Sequence, residues 1–128
     1  MNRSFIRTAA LLGAIAVILG AFAAHGLKKL LTNEDLQIFE TAVRYQFYHV
    51  FALLAVGIVS KDMPGSSLLW AGRLFITGIA IFSGSLYLLC YVRYSGLSMN
   101  WLGAITPLGG VAFILGWLLL FAAFVKRN

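Results

Sequence analysis

The chain has 128 residues, 61% of them hydrophobic and only 11% charged, with a mean hydropathy of +0.90. A soluble domain carries roughly 25% charged residues, so this composition excludes an ordinary water-soluble globule and indicates a membrane protein. The net charge is +6, but no basic run is interleaved with aromatics as a nucleic-acid surface requires, which leaves membrane lipids as the expected contact.

The first seven residues are short and basic, and residues 8–24 form an unbroken apolar run. Spanning a bilayer core takes about 20 such residues. Arg3 and Arg7, the apolar middle and Ala21-Phe22-Ala23 imitate a cleavable secretory signal. Against that reading, Ala16, Gly20 and Ala24 recur at four-residue spacing, as small residues do at a close helix–helix contact. The expectation is a retained first helix over about residues 8–25. Gly26 is then placed to act as a left-handed helix stop, with Lys28 and Lys29 near the negative helix end.

Thr32-Asn33-Glu34-Asp35 supplies an N-cap with acids in the first turn of the next helix. Leu36, Phe39, Val43 and Phe47 give that helix an apolar stripe, and it becomes wholly apolar from Val50. One helix is expected over about 33–60, embedded from about residue 38. Lys61-Asp62-Met63-Pro64-Gly65 reads as a turn.

A third span is expected over about 68–92, with Arg73 able to snorkel to the headgroups. Ser83-Gly84-Ser85 interrupts its apolar middle, and Thr77, Ala80, Gly84, Tyr87 and Tyr91 share a face expected to be the packed one. Residues 94–101 read as a loop with interfacial aromatics. Thr106-Pro107 reads as cap and first helical residue of a fourth span over about 105–125. Gly109, Gly116 and Ala123 recur every seven residues there, a seam for close approach. Lys126-Arg127 closes the chain at the membrane surface.

These elements predict an all-α, four-helix transmembrane bundle in a single domain, with both termini on one side. With the ends inside, Arg3, Arg7, Lys61, Arg73, Lys126 and Arg127 face the cytoplasm, against Lys28, Lys29, Arg44 and Arg93 outside; the positive-inside rule favours cytoplasmic ends.

The stretch from Thr41 to Phe51 carries much of the polar chemistry. At 100° per residue, Ala42, Tyr45, Gln46, His49 and Leu53 fall on one face. A polar group this deep is expensive facing lipid and should face other helices or a hydrated cavity. Ser83, Ser85 and Thr106 are plausible partners, which makes His25, Tyr45, Gln46, His49, Ser83, Ser85, Tyr87 and Thr106 a candidate intramembrane polar cluster. Glu40 and Arg44, four apart in acid-before-base order, are a candidate ion pair, read either as a gate or as an ordinary surface pair.

Two histidines invite a haem, but axial ligands must face each other at one depth, and His25 lies near the interface while His49 lies deeper. No cofactor is therefore expected, with haem or quinone as the minor reading. Cys90 is the only cysteine, which excludes an intrachain disulfide and a thiolate metal site; it is expected to be a packing residue. No acid is sequence-adjacent to orient a histidine toward Ser83 or Ser85, so nucleophilic catalysis lacks support. The glycines after Thr106-Pro107 could bare amides to an anion, but packing is the stronger reading.

Gly20-Ala21-Phe22-Ala23-Ala24-His25, Tyr45-Gln46-Phe47-Tyr48-His49, Phe82-Ser83-Gly84-Ser85-Leu86-Tyr87 and Thr106-Pro107-Leu108-Gly109-Gly110, with Phe113 and Gly116-Trp117, occur in that order. In this the chain resembles the YgdD-like membrane proteins, a domain of unknown function (number 423) to which transmembrane protein 256 of animals is similar. The resemblance covers nearly the whole chain. It implies a small multi-pass protein, in bacteria of the plasma membrane, and implies no activity. It also suggests that the residues of the polar cluster, with Gly84, Pro107, Gly109 and Gly110, form one shared feature.

Three functions are carried forward. The first is a non-enzymatic membrane protein that packs with itself, or against a larger complex, through its small-residue seams. The second is binding or passage of a small molecule, lipid or proton through a cavity lined by Tyr45, Gln46, His49, Ser83 and Tyr87. The third is a redox role with haem or quinone.

Overall fold

A computed structural model describes residues 1–125; Lys126 and Arg127, expected at the membrane surface, lie outside the described residues. Among those described, all regular structure is helical. Four helices are long and apolar enough to cross a membrane: α1 (Arg3–Leu30), α2 (Asn33–Val59), α3 (Ser66–Tyr94) and α4 (Leu102–Val125). The expected four-helix fold is therefore present, with boundaries that differ in instructive ways.

α1 does not stop at Gly26. The helix passes through a π-turn at Ala23–Leu27 and continues to Leu30, and Gly26 keeps a negative φ. A π-turn inserts one residue without breaking the axis, so no left-handed stop is needed. The left-handed glycine is Gly96, at φ 78°, which ends α3. Its N–H bonds Arg93 O at 3.1 Å and Leu97 N–H bonds Val92 O at 3.0 Å, the paired closure that satisfies the last free carbonyls of a helix.

α2 begins as read. Thr32 is extended, and its hydroxyl accepts from Asp35 N–H at 3.2 Å. α4 begins earlier than read: Pro107 lies inside the helix, and Thr106 is not the cap but bonds Leu102 O at 3.3 Å. Only the bond that a residue-107 N–H would have made to Gly103 O is lost, and that carbonyl is in the exposed first turn. Gly109 and Gly110 are consequently mid-helix, where their N–H groups are engaged by the helix itself and offer nothing to an anion.

α2 and α3 form the centre of the bundle, with α1 laid along α2 and α4 along α3. Asn2 N–H bonds Gly57 O at 2.9 Å, which sets the start of α1 level with the end of α2. Ala123 of α4 reaches the 62–68 turn at that same end, so Met1 and Val125 lie at one end of the bundle.

Small residues decide how close the helices come. A Cβ at Gly109 would strike the Phe82 backbone, and one at Gly116 would lie 2.7 Å from the Phe75 ring. Ala123 packs beside the same core. The seven-residue seam on α4 is thus a contact with α3.

On α1, Ala16 is fully buried and a Cβ at Gly20 would lie 3.5 Å from Val43, but Ala24 is exposed and Ala23 buried instead. Each four-residue step drifts 40° around a helix, so two steps carry Ala24 off the contact face. Gly84, expected in a packing seam, has open space where a side chain would stand.

The α3 face expected to pack is also corrected: Thr77, Ala80 and Tyr91 are exposed, and Leu68, Ala71, Gly72 and Phe75 are buried. The reason is shape. Phe5 and Phe113 insert their rings where Gly72 and Gly78 have no side chain, so the deep contact follows those glycines.

Candidate functional site

The polar residues of the bundle interior are bonded to one another or to helix carbonyls. Gln46, on the inner face of α2, donates from Nε2 to Leu12 O at 2.8 Å and accepts from Tyr87 OH at 2.6 Å, which ties α1, α2 and α3 together. Ser83 is completely buried and donates to Ala42 O at 2.7 Å, crossing from α3 to α2. The Ser85 and Thr106 hydroxyls are 2.6 Å apart, joining α3 to α4. A π-turn at Ile79–Ser83 ends on the first of these two serines, and the added residue changes the direction in which the following side chains leave α3.

His49 is the node between α2 and α4. Its Nδ1 lies 2.7 Å from Tyr45 O, a carbonyl that can only accept, so Nδ1 carries the proton. Nε2 therefore has a free lone pair, and Trp117 Nε1–H donates to it at 3.1 Å. The imidazole stacks on Phe113 with centroids 3.5 Å apart and planes 7° from parallel. Phe75, Trp117 and Tyr45 close the other sides at 5.7, 5.9 and 6.2 Å. Both ring nitrogens are hydrogen-bonded in this arrangement. Among the described residues no three His, Cys, Asp or Glu side chains gather as a metal site.

The five residues proposed from sequence to line one cavity do not share one. Gln46 and Ser83 are enclosed, at 2% and 0% exposure. Tyr45 and His49 border an outward cleft of about 470 Å³, together with Tyr48, Phe82, Phe113 and Trp117. Tyr87 borders a separate, almost wholly apolar cavity of about 280 Å³ with Phe22, Leu27, Phe39 and Cys90.

A family profile described as "Protein of unknown function (DUF423)" matches residues 19–110, which takes in Gln46, His49, Ser83, Ser85 and Thr106 but not Leu12, Phe113 or Trp117. The chain belongs to the DUF423 family. It is 44% identical over 123 residues to the UPF0382 membrane protein YwdK of Bacillus subtilis, covering 95% of this chain and 96% of that one. It is 45% identical over 122 residues to a UPF0382 membrane protein of Staphylococcus epidermidis, covering 95% of each. A UPF0382 membrane protein of Staphylococcus saprophyticus is 46% identical over 116 residues, 91% of this chain and 92% of the relative. No solved structure matches. This DUF423 member is thus a membrane protein, as composition indicated.

Not every candidate joins the cluster. His25 lies in the π-turn of α1, exposed, and is not part of the His49 node. Glu40 and Arg44 are both exposed and do not form the expected ion pair. Four-residue spacing permits such a pair without compelling it. The acidic start of α2 is instead held by Arg93 of α3: Nε lies 2.7 Å from Asp35 Oδ1, and Nη2 3.9 Å from Glu34 Oε2. Cys90 donates to Asp35 O at 3.3 Å and is 3% exposed, the packing role expected of it.

Sequence reasoning also missed Trp117 as the donor to His49. An indole N–H in an apolar helix must find an acceptor, so a tryptophan at this depth was a readable signal.

Two outcomes follow for this hairpin end. Arg93→Ala leaves the 7%-exposed Asp35 without its counter-charge. It should lower the unfolding free energy by about 1–3 kcal/mol, less than for a fully buried pair because Arg93 is half exposed; SDS titration of protein in mild detergent reads it. Cys90 should resist a polar maleimide in the folded protein and react fully on denaturation, as mass spectrometry of the adduct would record.

Proposed function

We propose that this DUF423 protein is a non-enzymatic membrane subunit that works by associating with another membrane protein, either itself or a larger complex. The observation that carries this reading is the contrast between inside and outside. Gln46, His49, Ser83, Ser85, Tyr87, Thr106 and Trp117 use their polar atoms on each other or on helix carbonyls within the bundle. Glu40 and Arg44, by contrast, point outward from a helix that crosses the membrane. A passage for ions or solutes needs polar atoms turned to a shared lumen, and here they are consumed as interhelical fasteners. A charged pair on an outer face invites a protein partner, because lipid tails supply none for it.

Expression in native membranes, mild extraction and blue-native electrophoresis with cross-linking test the reading. The expected result is a particle larger than the single 14.0 kDa chain with its detergent. A strictly monomeric particle with nothing cross-linked in the membrane would overturn it.

A second reading, lipid binding, is favoured by the cavity of about 280 Å³ beneath the α1–α2 hairpin. Its apolar wall suits an acyl chain, and native mass spectrometry should then detect a retained lipid that Cys90→Trp excludes.

The location that fits best is the bacterial inner membrane with both ends in the cytoplasm. Arg3, Arg7, Lys61 and Arg73 lie toward the end that holds Met1, and the sequence adds Lys126 and Arg127 after α4. Phosphatase and fluorescent-protein fusions at each end test the orientation; periplasmic activity at either would refute it.

A further inference from the structure

Asn2 N–H bonds Gly57 O, which marks one end of the bundle on α2. At 1.5 Å per residue, Arg44 stands about 20 Å above Gly57, and Glu40 about 25 Å. The hydrocarbon core is about 30 Å thick, so with Gly57 set at one edge of it both side chains leave the helix at hydrocarbon depth. Both are exposed, and neither has an ion-pair partner among the described residues.

The face they occupy continues down the helix. Tyr48, Phe51, Ala55 and Ile58 are exposed, with Tyr48 at 50%, Phe51 at 62% and Ile58 at 50%. From Thr41 through Arg44, Tyr48, Phe51, Ala55 to Ile58 the steps alternate three and four, the repeat that keeps one seam facing a neighbouring helix in a left-handed pair. The outer faces of α1 and α4 are different. Leu11, Ile15 and Ile18 on one, and Leu108, Val111, Ile114, Leu118 and Phe121 on the other, are apolar and suited to lipid.

Resting on the association reading above, we propose that this face of α2 is the contact between two copies of the chain, with Arg44 of each set against the partner subunit's Glu40. Charge complementarity selects the occupant. The face carries one base and one acid a turn apart, so it complements itself. Copies inserted the same way have equal residues at equal depth, related by a two-fold axis along the membrane normal. A helical side chain tilts toward its own N-terminus, so the Arg44 guanidinium rises from its Cα toward the level of Glu40. It therefore reaches the partner subunit's Glu40, and the reverse pair forms by symmetry. Tyr48, Phe51, Ala55 and Ile58 fill the seam below, with Ala55 allowing close approach.

The test uses the full chain in liposomes, with Cys90→Ala removing the native thiol and a single new cysteine on an outer face. Ala55→Cys should give a disulfide-linked dimer on mild oxidation, while Ile15→Cys on α1 and Leu118→Cys on α4 should give little. Adding Arg44→Glu or Glu40→Arg should reduce the Ala55→Cys dimer about eightfold, the scale of the two symmetry-related intramembrane polar contacts that either reversal removes. Combining both reversals should restore it, and unchanged circular dichroism of each single reversal would show that it still folds. Cross-linking at Leu118→Cys but not Ala55→Cys, or charge reversals without effect, would overturn this interface and leave the association reading standing. A monomer at every position, with no other protein captured in native membranes, would overturn both.

Discussion

Replacing His49 with alanine is expected to lower the unfolding free energy in detergent micelles by about 3 kcal/mol, the low end for removing a buried aromatic ring. Two losses combine. The ring stacked 3.5 Å from Phe113 disappears from a site that is 4% exposed, and Trp117 Nε1–H loses the acceptor it has at 3.1 Å. The two separate on comparison with His49→Phe, which keeps a flat ring against Phe113 and forfeits the bonds. That variant should cost only about 1 kcal/mol, since interhelical hydrogen bonds in membranes average about 0.6 kcal/mol. A double-mutant cycle with Trp117→Phe reads the coupling directly; a coupling near zero would mean that the indole and imidazole merely adjoin. SDS titration followed by circular dichroism makes the measurement. The same arithmetic predicts a small effect for Gln46→Leu, where polar contacts are lost but no ring is removed.

Gly109→Ala should be destabilising by about 2 kcal/mol, while Gly84→Ala should stabilise by somewhat under 1 kcal/mol, with the same thermal-unfolding measurement in detergent reading both. Glycine in a helix interior is about 1 kcal/mol worse than alanine, so the added methyl is favourable wherever space exists. At Gly84 nothing lies within 4 Å of the new atom. At Gly109 the methyl meets the backbone of Phe82, which cannot rotate away as a side chain can. α3 and α4 must separate there, and overpacking of this kind typically costs 1–3 kcal/mol. Gly116→Ala should fall between, because its obstacle is the Phe75 ring at 2.7 Å. Equal effects at Gly84 and Gly109 would show that the α3–α4 contact at Phe82 is looser than described.

The positions where reading and structure part company share a cause. Small residues at fixed spacing mark a face that can approach another helix, but only the neighbour's shape decides which of them is used. Gly109 and Gly116 meet α3 and Gly84 meets nothing, although all three interrupt apolar runs in the same way. The polar cluster was legible as a set of residue types that lipid would not tolerate. Its pairing was not: Gln46 takes both Leu12 O and Tyr87, and His49 takes Trp117, from helices remote in sequence. Local spacing placed the acid–base pair at Glu40 and Arg44, while the ion pair formed across helices, Arg93 to Asp35.

What the sequence by itself determined is the solvent and the number of crossings. Hydrocarbon accepts only helices and closed barrels, whose backbone bonds are internal, and an unbroken apolar run of about 20 residues fits the helix and not a short alternating barrel strand. The Thr32 cap was legible for the same local reason, since its hydroxyl needs nothing beyond the first turn of α2. Tertiary structure alone decided the π-turns at Ala23–Leu27 and Ile79–Ser83, the direction each polar side chain takes, and the outward stranding of Glu40 and Arg44. Between helices the hydrophobic effect is silent in lipid, so close packing and a few hydrogen bonds select the arrangement, and both depend on pieces of chain that meet only after folding.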